Sequence, residues 1–193
     1  MPFPLLCSHL GNNSHVKTSS AAIDYQTSFA FPGDVESSEN WLKCQPLSEL
    51  RDHFQRHGFV QVDHLLDQPL LKDYQQLYAR FLTGEIDSSR HRHDLGSHNE
   101  PQQASSENVL QVMWPSDYVE HLAQGPLHKR TAAMAAWLLE GDDINFDFDM
   151  LIAKAPQTNT DIPWHQDEAY WLDLPDKRAV SCWVRFVSWL AAC

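Results

Sequence analysis

The sequence predicts an α+β fold with helices in its first part and strands in its second. Leu47, Leu50 and Phe54, then Leu70, Leu71, Tyr74, Leu77, Tyr78 and Phe81, recur at helical spacing. Later, Ile144, Phe146, Phe148, Met150 and Ile152 alternate with Asn145, Asp147 and Asp149, the period of a strand. Apolar residues make up 42% of the 193, with 7 Trp and 9 Phe, which is enough to build a core.

The elements follow in order. Residues 1–43 are rich in Ser, Asn and Gly without a sustained period, and read as a loosely ordered arm packing in part through Phe29, Phe31 and Trp41. The main domain is expected over 44–184. Its first helix starts at Leu47 and stops at Gly58, a left-handed cap, and Phe59–Val62 reads as a short strand. Asp67 and Pro69 start a second helix that ends at Gly84. Glu85–Asn108 is a long polar loop containing His91, His93 and His98. Val109–Met113 is a strand, Ser116 caps a short helix, and an Ala-rich helix covers Pro126–Glu140. After the alternating segment, further strands are expected at Trp164–Tyr170 and Ala179–Val187.

Fourteen basic and 26 acidic residues give a net charge of −12. That balance opposes a nucleic-acid backbone or an anionic membrane as partner, and suits small molecules or metal cations. Thr131–Leu139 and Val180–Cys193, the longest apolar stretches, fall short of the ~20 residues that span a bilayer. Met1–Leu10 lacks the basic start of a secretory signal. A cytoplasmic location is expected, with Cys7, Cys44, Cys182 and Cys193 as free thiols in a reducing cytosol, and no CxxC writes a zinc ribbon or redox dithiol. The seven glycines are too scattered for a phosphate loop, and neither GxSxG nor HExxH is present.

Pro163-Trp164-His165-Gln166-Asp167 carries the candidate chemistry. On an extended strand His165 and Asp167 share a face, so an imidazole nitrogen and a carboxylate suit two adjacent positions on Fe(II). A more distant His would complete a 2-His-1-carboxylate triad. Trp164, Tyr170 and Trp171 would restrict water around it. A surface strand with a satisfied His has the same spacing.

The run from Phe54 to Val184 resembles the phytanoyl-CoA dioxygenase family of Fe(II)/2-oxoglutarate oxygenases. Three stretches carry the likeness: Phe148-Asp149-Met150-Leu151-Ile152-Ala153-Lys154-Ala155-Pro156, Trp164-His165-Gln166-Asp167, and Ser181-Cys182-Trp183-Val184. The opening Phe54-Gln55-Arg56-His57-Gly58-Phe59-Val60 and Gln111-Val112-Met113-Trp114-Pro115 are similar to family stretches too. The resemblance implies a double-stranded β-helix (jelly-roll, cupin-like) core, Fe(II) on His165 and Asp167, and 2-oxoglutarate as cosubstrate beside Met150, Lys154, Gln166 and Trp183. It also implies hydroxylation of a small molecule by O2, coupled to conversion of 2-oxoglutarate to succinate. Met150 reads equally as core by its place in the alternation, and Lys154 as a solvated lysine.

The family places a second ligand His and an Arg for the distal 2-oxoglutarate carboxylate on later strands. No His occurs in the 28 residues after His165 (193 minus 165), and Arg185 begins a nine-residue tail unlike the family. The expectation is therefore an incomplete β-helix in a truncated, inactive or poorly folded form, with 185–193 an aberrant tail from a frameshift, alternative exon or intron boundary. Two other readings stay open: a non-catalytic product that binds a partner through its apolar end, and a metal-binding module built on the His91–His98 loop.

Overall fold

The computed structural model describes residues 3–11, 25–30, 37–95, 107–141, 144–155, 164–170 and 178–186. Within them the order is β1 (Phe3–Gly11), β2 (Thr27–Ser28), α1 (Ser38–Lys43), α2 (Leu47–His57), α3 (Gln68–Leu82), β3 (Arg92–Asp94), β4 (Val109–Met113), β5 (Val119–Glu120), α4 (Pro126–Leu139), β6 (Asn145–Lys154) and β7 (Ala179–Arg185). Five strands form an antiparallel sheet in the order β3-β4-β6-β1-β7, and β2 pairs with β5 in parallel.

Local chemistry explains the helices. The Asp67 carboxylate accepts from the Leu70 N–H at 2.9 Å, and Pro69 fills a first-turn position of α3 where no donor is needed. Gly58 ends α2 at φ 76°, in the left-handed region, and its N–H donates to the Phe54 carbonyl. α3 lays Tyr74, Leu77, Tyr78 and Phe81 on the sheet, where they meet Leu110 and Val112 of β4, Leu151 and Ala153 of β6, and Phe186. The Tyr78 and Phe186 rings lie 5.0 Å apart, and Gln75 Nε2 donates to the Phe186 carbonyl. A second cluster joins Trp41, Met134 and Leu138 to Leu47, Leu50 and Phe54. There the Arg51 guanidinium lies 3.8 Å over the Trp137 ring, tying α2 to α4. Arg92 clasps Glu107 through two hydrogen bonds of 2.7 and 2.6 Å and donates to the Phe81 carbonyl, so one side chain holds both β3 and the end of α3.

Several expectations need correction. The segment read as a loose arm supplies β1, a nine-residue strand paired on both sides, with Leu6 opposite both Leu151 and Val184. Pro4 and the absence of alternation hide it, because an interior strand need show no period of two. Phe59–Val62 is not a strand; the helices take up its Val60 and Val62 in the second cluster. Trp164–Tyr170 is irregular chain followed by a 3-10 turn over Asp167–Tyr170. β7 includes Arg185 and Phe186 is fully buried, while 187–193, most of the segment read as an aberrant tail, lie outside the described residues.

The parity of β6 is the largest surprise. Its helix-facing residues are Asp149, Leu151 and Ala153, while Phe146 lies exposed. Asp149 has 0% exposure and accepts from Ser116 Oγ at 2.9 Å, the Ser116 N–H at 3.2 Å and His128 Nε2 at 3.1 Å. Its carbonyl takes the N–H of Trp114, a residue at φ 52°. Four hydrogen bonds thus hold a carboxylate residue where an apolar one was expected.

Asp149→Ala strands the Ser116 and His128 donors and is expected to lower unfolding free energy by about 3–5 kcal/mol in urea titrations. Asp149→Asn, which keeps an acceptor, should lose less. Burial, and next the Asp149 charge, push the Tyr78 phenol well above its ordinary 10. Because the folded value exceeds the unfolded one, this group's contribution is present below about pH 10 and is lost as pH rises above it. The Tyr78 hydroxyl has no hydrogen-bond partner among the described residues. Tyr78→Phe should therefore change stability at pH 7 by less than about 1 kcal/mol and flatten the alkaline decline seen by circular dichroism.

Candidate metal centre

The turn that follows His165 brings its side chain and that of Asp167 together. Ala169 N–H donates to the Gln166 carbonyl at 3.0 Å, closing the chain over Asp167–Tyr170. The His165 Nε2 to Asp167 Oδ1 distance is 3.3 Å, with side chains 43% and 45% exposed. Two donors at about 2.1 Å from one metal, at right angles, stand about 3 Å apart, so this pair fits two neighbouring positions of an octahedral ion. One donor is nitrogen and one is a carboxylate oxygen, a set that suits iron. A turn, rather than the shared face of a strand, creates the pairing.

No third His, Cys, Asp or Glu joins them among the described residues. Trp164 is 104% exposed and shields nothing, while Trp171 lies outside the described residues. Gln166 is exposed between the two donors.

The other candidates lie on the sheet. Alternation along β6 sends Met150, Ile152 and Lys154 to the face opposite α3, and Trp183 lies opposite to Val184, which packs against the helix-side core. Met113, Met150 and Trp183 occupy one rung, linked through the Cα register of Cys7. Two strand spacings separate Met150 from Trp183, about 10 Å. Gln111 Nε2 reaches Met150 Sδ at 2.7 Å, and Trp183 is 54% exposed. Lys154 is exposed at the end of β6. Met150, Lys154 and Trp183 thus share a face, with Met150 outside the helix-side core that its alternation suggested.

His91 is engaged elsewhere: its Nδ1 meets Tyr118 Oη at 2.8 Å and its ring stands edge-on to Trp114. His93 is exposed on β3, and His98 lies outside the described residues. A cavity of about 540 Å³ lies along β7, lined by Trp41, Phe54, Met134, Leu138, Cys182 and Trp183. Burial pushes the Cys182 thiol up to about 12, so it stays protonated at neutral pH. Neither His165 nor Asp167 lines this cavity. The buried Asp149–His128–Ser116 cluster escaped the sequence reading, and its one signal was a His inside the apolar run of α4.

Residues 54–188 match the phytanoyl-CoA dioxygenase (PhyH) family, 135 of 193 residues (188 − 54 + 1), and the chain belongs to that family. No curated protein matches the chain, and no solved structure does. The match starts at Phe54 and contains His165, Asp167, Met150, Lys154, Gln166 and Trp183. The family is cupin-like in fold and generally depends on Fe(II) and 2-oxoglutarate, with small molecules and O2 as partners. No helix among the described residues is long and apolar enough to cross a membrane.

Proposed function

We propose that this protein is an Fe(II)/2-oxoglutarate-dependent oxygenase that hydroxylates a small molecule, with His165 and Asp167 as two of its iron ligands. The observation that carries the reading is the 3.3 Å approach of His165 Nε2 to Asp167 Oδ1 within the span matched by the family. Iron, when bound, supplies the redox chemistry with O2 that links oxidation of 2-oxoglutarate to succinate and CO2 with insertion of oxygen into the substrate.

The side chains divide the remaining work. Asp167 offsets metal charge, and His165 supplies a neutral nitrogen. Lys154 offers an ammonium to a carboxylate of 2-oxoglutarate. Met150 and Trp183, on one rung, form an apolar floor that restricts water beside it. In this reading the five-stranded sheet is one part of a double-stranded β-helix, and the face of Met150 and Trp183 is its interior side.

Two protein ligands hold Fe(II) more weakly than three, and no His follows His165 within these residues. Turnover is accordingly assayed with excess Fe(II). The test is release of labelled CO2 from 1-labelled 2-oxoglutarate under air. Fe(II)-dependent release is expected, falling to background in His165→Ala and Asp167→Ala, while both variants keep wild-type stability within about 0.5 kcal/mol because these side chains are substantially exposed. Release that survives either substitution contradicts the assignment.

A further inference from the structure

A second pair of metal donors stands on α2, outside the chemistry described above. His53 and His57 are four residues apart on α2, so one turn of helix stacks their side chains on the same side. Their ring centroids are 4.4 Å apart, tilted by 38°. An imidazole that binds a metal through a nitrogen about 2.1 Å away has its centroid about 3.2 Å from the ion, so two such rings at right angles stand about 4.5 Å apart. The free rings already hold the spacing that a shared ion requires.

Two further features favour a cation there. His57 is the last residue of α2, where the unpaired carbonyls make the helix end negative. Beyond it, Gly58 at φ 76° turns the chain back, and Phe59 stands edge-on to His53 with centroids 5.3 Å apart. Phe59 also lies 6.2 Å from His57. The ring braces both imidazoles and lowers the rotamer freedom lost on binding. That also accounts for Phe59 remaining 65% exposed: it packs on the histidines and not on the core.

We propose that His53 and His57 form a metal site at the C-terminal end of α2, separate from the His165–Asp167 pair, that takes Ni(II) or Cu(II). Two imidazoles with water completing the shell suit these ions, and affinity should rise from Co(II) through Ni(II) to Cu(II). No third His, Cys, Asp or Glu joins the pair among the described residues, in keeping with an open, water-completed site. Bridging one turn, the ion would also brace the last turn of α2 against fraying.

The test is a calorimetric titration of the untagged full chain with Ni(II), which avoids the thiol oxidation that Cu(II) promotes at exposed Cys44. The background carries His165→Ala and Asp167→Ala, so the first pair contributes nothing. One Ni(II) per chain is expected, with affinity falling at least about tenfold in His53→Gln and again in His57→Gln, and unchanged in His93→Gln. α2 buries no side chain fully, so both changes are surface substitutions; equal metal-free melting temperatures will verify intact folding. Ni(II) should raise the melting temperature of the background chain and not that of His53→Gln. Binding unchanged in both α2 variants, or lost with His93→Gln, overturns the proposal.

Discussion

The Asp149 carboxylate sets the geometry on which the rest depends. It is fully buried, and its donors come from the chain just after β4 (Ser116) and from α4 (His128). A strand has only two ways to face its sheet, and a slip of one residue exchanges them. Apolar counting alone would turn Phe146, Phe148, Met150 and Ile152 toward the helices. Placing Asp149 under Ser116 and His128 selects the opposite parity, with Leu151 and Ala153 in the helix-side core. Met150 and Lys154 consequently share a face with Trp183. One polar cluster, paid for by four hydrogen bonds, decides which side of the sheet faces the candidate chemistry.

Much of this was legible in the residues. α2, α3, β4 and α4 lie close to where their periods and punctuation put them, because Gly58, Asp67, Pro69 and Pro126 act within a few residues of the backbone they shape. β1 was not legible: its pairing partners lie more than 130 residues away, and nothing local distinguishes an interior strand from an apolar arm. The turn at Asp167–Tyr170 escaped because aromatic residues favour strands in general, while this stretch has no strand partner among the described residues. The parity of β6 escaped for a third reason. A buried carboxylate is stable only if donors wait for it, and Ser116 and His128 are distant in sequence.

The donor pair showed the reverse case. His165 and Asp167 do approach each other, but through a turn and not on the shared face of a strand. Donor identity then separates the two proposed metal pairs. Nitrogen with carboxylate suits iron and a chelating oxyacid, whereas two imidazoles favour later transition ions. Neither pair draws on Cys182, whose thiol burial keeps protonated beside the apolar cavity. Trp183, which the proposed function places beside the cosubstrate, lines the same cavity as Cys182.

The assignment of the iron ligands is tested most directly by pulsed electron paramagnetic resonance with Mn(II) in place of Fe(II), in the presence of 2-oxoglutarate labelled with 13C at its first carbon. The expected spectrum shows coupling to an imidazole nitrogen and to the labelled carbon. The nitrogen coupling should vanish in His165→Ala and persist in His53→Gln. An imidazole coupling that remains unchanged in His165→Ala would contradict the assignment of this residue to the metal.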